Sequence, residues 1–151
     1  MTNVTLAQSY LNKCAVRLKA LRLLLSEEAY SDVVREAQEV VELAQKAMLR
    51  LVGVEPPRHN NAGYLLLEYR DMFTEDVRDE LEELAEVSKW LRKERELAFY
   101  GDVDFIPTME YGPAEADRAF HSAHKTVAVA ERALRSRAES QGGVGFPSGR
   151  S

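Results

Sequence analysis

Along residues 31–57 the apolar positions return at alternating steps of three and four, at Val34, Ala37, Val41, Ala44, Met48 and Leu51. Val33, Val40 and Ala47 widen that seam to roughly 140° of arc, counting about 100° per residue, so the pattern predicts a helix that faces more than one neighbour. Its ends are marked. Ser31 reads as the N-cap with Asp32 in the first turn, while Gly53, Val54 and Pro56-Pro57 read as a left-handed stop, its hydrophobic contact and a block on further helix.

The same rhythm recurs on either side. Residues 5–26 carry Ala7, Leu11, Cys14, Leu18, Leu21 and Leu25 at steps of four and three, which predicts a first helix joined by a short connection, Glu27 to Tyr30, to an antiparallel central one. Beyond Pro57, Leu65, Leu66 and Tyr69 suggest a short helix across the bundle end. Thr74 reads as the next N-cap, and Val77, Leu81, Leu84, Ser88 and Leu91, with Trp90 nearby, predict a third long helix to about Phe99. Residues 100–112 break both periodicities and read as a loop long enough to be functional. Pro113 suits a first helical position with Glu115 in the first turn, and Ala116, Phe120, Ala123, Val127, Ala130 and Leu134 predict a fourth long helix. The expectation is an all-α, up-and-down antiparallel four-helix bundle with an additional short helix, spanning residues 1–139, followed by a flexible tail over residues 140–151.

Composition narrows the class. The 151 residues are 45% apolar and 30% charged, with 5 Pro and 8 Gly, as expected of one folded domain. The single cysteine excludes a disulfide within the monomer, and Cys14 falls in an apolar seam, which favours a buried thiol. The N-terminal stretch lacks a basic start followed by an apolar run, and no segment approaches the roughly 18 apolar residues of a membrane span. A cytoplasmic location without membrane association is therefore expected. The net charge of -5 argues against wholesale adhesion to nucleic acid but leaves room for a local basic patch.

Charge distribution supplies the candidate surfaces. Lys13, Arg17, Lys19 and Arg22 flank the first seam with no acidic residue before Glu27, which a solvated flank explains through their long apolar stems. On the fourth helix Arg118, His121, Lys125, Arg132 and Arg135 fall within a sector of about 120°, which reads as an exposed face or as a strip that tracks phosphates. Glu75, Asp76, Asp79, Glu80, Glu82, Glu83 and Glu86 read as a solvated acidic face complementing the helix dipole. No His or Cys joins them, and neither a metal site nor a cofactor is expected. Gln38, Glu42 and Lys46 make a polar ladder at four-residue steps, and His59 reads as a solvated loop or capping residue.

Two blocks resemble the HEPN family of small helical domains. The first is Ala37-Gln38, Val41-Glu42-Leu43-Ala44 and Lys46-Ala47, followed by Gly53-Val54-Glu55-Pro56-Pro57. The second is Arg95-Glu96-Leu97-Ala98-Phe99-Tyr100-Gly101-Asp102, with Ile106-Pro107 and Tyr111 before an Ala-rich helix. The resemblance covers most of residues 5–135. It implies an up-and-down bundle, a homodimer, and a neighbouring minimal nucleotidyltransferase as partner, an arrangement of the toxin–antitoxin kind.

Many members of that wider family are ribonucleases in which an Arg is followed four to six residues later by His. An imidazole can move the proton of a 2′-hydroxyl near neutral pH, and a guanidinium can hold the phosphate as charge develops. Here Arg95 is followed by Tyr100 where that His is expected, and a phenol with an ordinary pKa near 10 is a poor base at neutral pH. Arg118 and His124 offer a second, weaker pair, pointing about 120° apart on one helix. His59-Asn60-Asn61 stands where the family often has Thr-His-Asp. The residues placed as nucleotide- or RNA-binding candidates are Arg95, Tyr100, Asp102, Lys125 and Arg132. The resulting expectation is a nucleotide- or RNA-associated interaction protein lacking full ribonuclease activity and working with a nucleotidyltransferase-like partner. Its alternatives are a metal-independent ribonuclease, through Arg95 or through Arg118 and His124, and a purely structural bundle that binds a protein. The broad apolar arc of the central helix, with Leu43 and Leu49 outside its main seam, is the physical ground for the dimer.

Overall fold

A computed structural model describes residues 2–58, 62–100 and 111–145, with the backbone course alone for residues 95–100 and 141–145. The helices are α1 (Asn3–Ser26), α2 (Tyr30–Leu51), α3 (Ala62–Glu68), α4 (Glu75–Arg78), α5 (Leu81–Tyr100) and α6 (Pro113–Gly145), with a 3-10 turn at Arg70–Met72 between α3 and α4. There is no strand among the described residues. Cys14 Sγ lies 3.7 Å from the Val40 carbonyl and Arg17 pairs with Glu36 at 3.0 Å, so α1 and α2 run antiparallel. Trp90 meets Arg118 and Glu80 meets Arg132, so α5 and α6 are antiparallel too. Arg22, near the end of α1, sits on Phe120, and Arg137 donates to the carbonyl of Leu51 at the end of α2. The long helices therefore go up, down, up and down, as their seams predict.

Within that topology α2 is the buried element. It packs on α1, α3, α5 and α6 together, while the backbones of α5 and α6 approach at few points. Val33, Ala37, Val40, Ala44, Ala47, Met48 and Leu49 of α2 are fully buried, as are Leu21 of α1, Leu66 of α3, and Leu84 and Leu91 of α5. Each large apolar side chain removed from water in this way contributes about 1.5–3 kcal/mol before entropy is counted. Leu49 is fully enclosed and Leu43 packs partly buried against the core. The wide apolar arc of α2 is thus absorbed inside one chain, and the exposed large apolar residues lie elsewhere, with Val16 and Leu23 of α1 more than 60% exposed.

The helix stops follow from local chemistry. Gly53 has φ +79°, Val54 donates to Leu49 at 2.9 Å and Gly53 donates to Arg50 at 3.0 Å, a Schellman closure of α2 that Pro56 and Pro57 then secure. The end of α1 uses the same closure without glycine. Ala29 donates to Leu24 and Glu28 to Leu25, both at 3.0 Å, with Glu28 at φ 60°. The chain passes from this left-handed residue straight into α2 at Tyr30, so the predicted N-cap Ser31 lies within the first turn, where it is buried. At α6 the expected start holds: Pro113 is the first helical residue, and the Glu115 carboxylate accepts from the Gly112 N–H at 2.9 Å.

Three further expectations are revised. The third long helix is divided, because Glu80 donates to Val77 in a tight 3-10 step at 2.9 Å, separating α4 from α5. Thr74 occupies the N-cap position by backbone, but its hydroxyl bonds Asp76 at 2.6 Å instead of a helix N–H. The short helix α3 packs against α2 and the side of α5 rather than across the end. Gly63 permits that approach: a Cβ there would stand 3.0 Å from Ala85 Cα and 3.2 Å from Ser88 Cβ. The backbone of α6 runs as helix through Gly145.

The Cys14 thiol is fully enclosed, and burial pushes its pKa up to about 12, which keeps it a neutral core group as its place in the seam predicts. Gln45 is also fully buried and donates from Nε2 to the Leu84 carbonyl at 2.9 Å, fixing α2 against α5. Substituting Gly63→Ala gains up to about 1 kcal/mol of helix propensity but forces a shift against backbone worth about 1–3 kcal/mol. A net loss of about 1 kcal/mol is expected, read as a lower urea midpoint. An unchanged or higher midpoint would show that α3 does not pack this closely on α5.

Candidate functional site

The sparse backbone contact between α5 and α6 is bridged by long charged side chains. Lys125 of α6 reaches Glu83 at 2.8 Å and Glu80 at 3.1 Å, and Arg132, two turns on, reaches Glu80 at 3.1 Å and Asp76 at 3.4 Å. Glu80 is shared by both cations. Its carboxyl is held below the ordinary 4.5 by the hydrogen bond from Lys125 and then that from Arg132. Lys125 is correspondingly raised above 10.5 by Glu83 and Glu80. Asp76 lies below its usual 3.8 chiefly through the Thr74 hydroxyl, with Arg132 a smaller cause. The 3-10 step at Glu80 sits at the centre of this lattice.

Toward the other end of the seam the contact becomes aromatic. Arg118 stacks on Trp90 with its Cζ 3.9 Å from the ring centroid. Tyr111, buried just before α6, donates its hydroxyl to the Glu94 carbonyl at 3.0 Å and so ties the start of α6 to the late turns of α5. On the flank of α6 that meets α1, Phe120 packs with His124, His121 and Arg22. The ladder on α2 lies deeper than a surface stripe: Gln38 is buried and donates to Glu42 at 3.1 Å, and Lys46 pairs with Glu42 at 3.2 Å. Where α2 ends, Leu51, Phe73, Val77, Ala133 and Arg137 line a half-open cavity of about 120 Å³.

The family model that matches the chain is that of the HEPN domain, over residues 7–135. The chain belongs to the HEPN domain family. No curated protein and no solved structure matches it.

In this HEPN domain the candidate residues fall on α5, on α6 and outside the described residues. Arg95 and Tyr100 belong to the last turns of α5, with their side chains outside the described residues. Asp102, most of the loop expected over residues 100–112, and His59 also lie outside the described residues. Lys125 and Arg132 are both engaged in the ion-pair lattice with α4 and α5. Arg118 and His124 do not converge: the first stacks on α5, while His124 packs 4.4 Å from Phe120 and places Nδ1 3.1 Å from the Phe120 carbonyl. The Arg22 and Phe120 contact was not legible in the sequence. It joins positions 98 residues apart, and the only trace of it is a phenylalanine followed by histidines one and four residues later. No described helix is long and apolar enough to cross a membrane.

The lattice gives a signed pH dependence. Carboxylates with lowered pKa stabilise the fold above their unfolded values, and this contribution fades as pH falls through 4.5 for Glu80 and 3.8 for Asp76 toward their folded values. Lys125 contributes below 10.5 and loses its contribution as pH rises past its raised value. Glu80→Gln is expected to cost less than about 1 kcal/mol at neutral pH, because the pairs are partly solvated, and to flatten the decline in urea midpoint on acidification. Wild-type steepness in that variant would remove Glu80 from the account.

Proposed function

We propose that this HEPN protein is a nucleotide- or RNA-associated interaction protein, dimeric, without complete ribonuclease machinery, and acting with a nucleotidyltransferase-like partner. The observation that carries the reading is that Arg118 and His124, the Arg and His pair offered by the sequence, do not converge. The chain has Tyr100 where the resemblance expects a histidine after Arg95, and the other candidates, Arg118 and His124, occupy different flanks of α6. General base catalysis requires the imidazole within hydrogen-bond reach of the reacting hydroxyl while the guanidinium holds the same phosphate. Two groups turned to different neighbours do not provide that.

Supporting the association with a polyanion, the cations Arg22, Arg118 and Arg135 of α1 and α6 make no ion pair among the described residues. Supporting the dimer, Val16 and Leu23 stand two turns apart on the outer side of α1, exposed by 66% and 61%. The partner rests on the family resemblance alone.

Purified protein incubated with single-stranded RNA in the presence of a chelator is expected to bind it and leave it intact. Cleavage that disappears in Arg95→Ala or in Tyr100→Phe would replace this reading by the metal-independent ribonuclease. Sedimentation at micromolar concentration is expected to give a dimer, and Leu23→Glu is expected to shift it to monomer. A wild-type monomer throughout would remove the dimer.

A further inference from the structure

The half-open cavity of about 120 Å³ at the end of α2 has two walls of different chemistry. Leu51 and Val52 from the end of α2, with Phe73 and Val77 from the approach to α4 and from α4 itself, form a buried apolar wall. Met72 of the 3-10 turn, 48% exposed, extends that wall at the solvent side. The facing wall comes from α6 alone. Ala133, Ser136, Arg137 and Ser140 stand at i, i+3, i+4 and i+7, one face of a helix, and bring two hydroxyls and a guanidinium to the cavity.

Arg137 is held in place by one of its nitrogens. Nε donates at 3.2 Å to the Leu51 carbonyl, one of the acceptors that a helix end leaves without an intrahelical partner. Its two terminal amines make no hydrogen bond or ion pair among the described residues, and neither do the Ser136 and Ser140 hydroxyls. Asp76, two residues beyond the lining Thr74, is already engaged by the Thr74 hydroxyl and by Arg132. A guanidinium is charged at every relevant pH, and with Nε taken it keeps an edge of N–H donors that matches the two oxygens of a carboxylate. A bare inorganic anion would leave the apolar wall without a partner, and a neutral apolar molecule would leave the guanidinium without one. A carboxylate on a short apolar chain meets both walls. The volume, that of about four liquid waters, limits the chain to a few carbons.

We propose that this cavity is a binding site for a small organic carboxylate, with the carboxylate on the Arg137 guanidinium beside Ser136 and Ser140 and the chain against Leu51, Phe73 and Val77. The site goes beyond the RNA-associated reading and does not depend on it. Its walls belong to α2, α4 and α6, so an occupant ties α4 to the two central helices and stabilises the folded chain as its concentration rises.

Titration of the isotope-labelled native protein with pentanoate, followed by amide NMR shifts, tests the site, with pentanamide, acetate and inorganic phosphate as comparison ligands. The expected result is a saturable response at Met72, Phe73 and Arg137, with pentanoate binding about tenfold or more tightly than each of the other three. Arg137→Gln is expected to bring pentanoate affinity down to that of pentanamide and to leave pentanamide unchanged, which a general loosening of the fold would not do. Met72 is exposed, so Met72→Ala probes the apolar wall without removing core packing, and it is expected to weaken pentanoate about three- to tenfold while leaving acetate unchanged. Circular dichroism confirms that each variant folds. Absence of a saturable pentanoate response, a response confined to residues away from the cavity, or native affinity in Arg137→Gln overturns the site. Phosphate or acetate binding as tightly as pentanoate overturns the assignment to a carboxylate with an apolar chain.

Discussion

The burial of α2 on all sides is the constraint from which the rest of the molecule follows. A helix surrounded by four others can be accommodated only where its neighbours come close, and the chain supplies small side chains for this. Ala37, Ala44 and Ala47 of α2, and Ala116, Ala119, Ala123 and Ala130 of α6, are all fully buried. Alanine on both central helices keeps helix propensity high and lets the backbones approach. Around this pair, α1 closes one side, and α5 with α3 closes the other. Gly63 serves the same end at the outer contact, since even a methyl group there would meet backbone.

Close packing at the centre leaves α5 joined to α6 by reach rather than by contact. Buried Leu84 and Leu91 and the Gln45 amide seat α5 on α2, while the ion pairs of Glu80 and Glu83 and the Arg118 to Trp90 stack hold it to α6. Tyr111 then ties the start of α6 to the late turns of α5, by its bond to Glu94. Thus the helix ending in Arg95 to Tyr100 rests on α2 by apolar burial and meets α6 through long polar side chains. That junction is more sensitive to acid and salt than the α1–α2–α6 core, which rests on apolar burial.

The fold was readable because its determinants are local and periodic. The four seams, the Gly53 stop and the Pro113 start each depend on residues within a few positions, and each stands where the pattern puts it. Failures came where distant contacts override local preference. Ser31 has the right chemistry for a cap but enters the core because Glu28 closes α1 one step earlier. Leu43 and Leu49 suggested an interface on periodicity alone, and α2 has neighbours enough to cover them. The same limit governs the surface. Five basic positions on α6 formed a single strip in projection, yet Lys125 and Arg132 face acids contributed by α4 and α5, and Arg118 faces an indole. Sequence spacing places a side chain on a face and cannot say what another helix has already set against it.

That distinction bears on how such a protein responds to electrolyte. A polyanion arriving at an unpaired cation displaces condensed counterions, which is the entropic source of affinity and of its salt dependence. Arriving at Lys125 or Arg132, it must instead exchange places with Glu80, a ligand tethered to the same molecule that does not dilute away. The junction behaves as an internal ion exchanger whose resident anion is covalently retained. Basic residues counted from the chain therefore overstate its polyelectrolyte character, and the effective valence is set by the cations that folding leaves unclaimed.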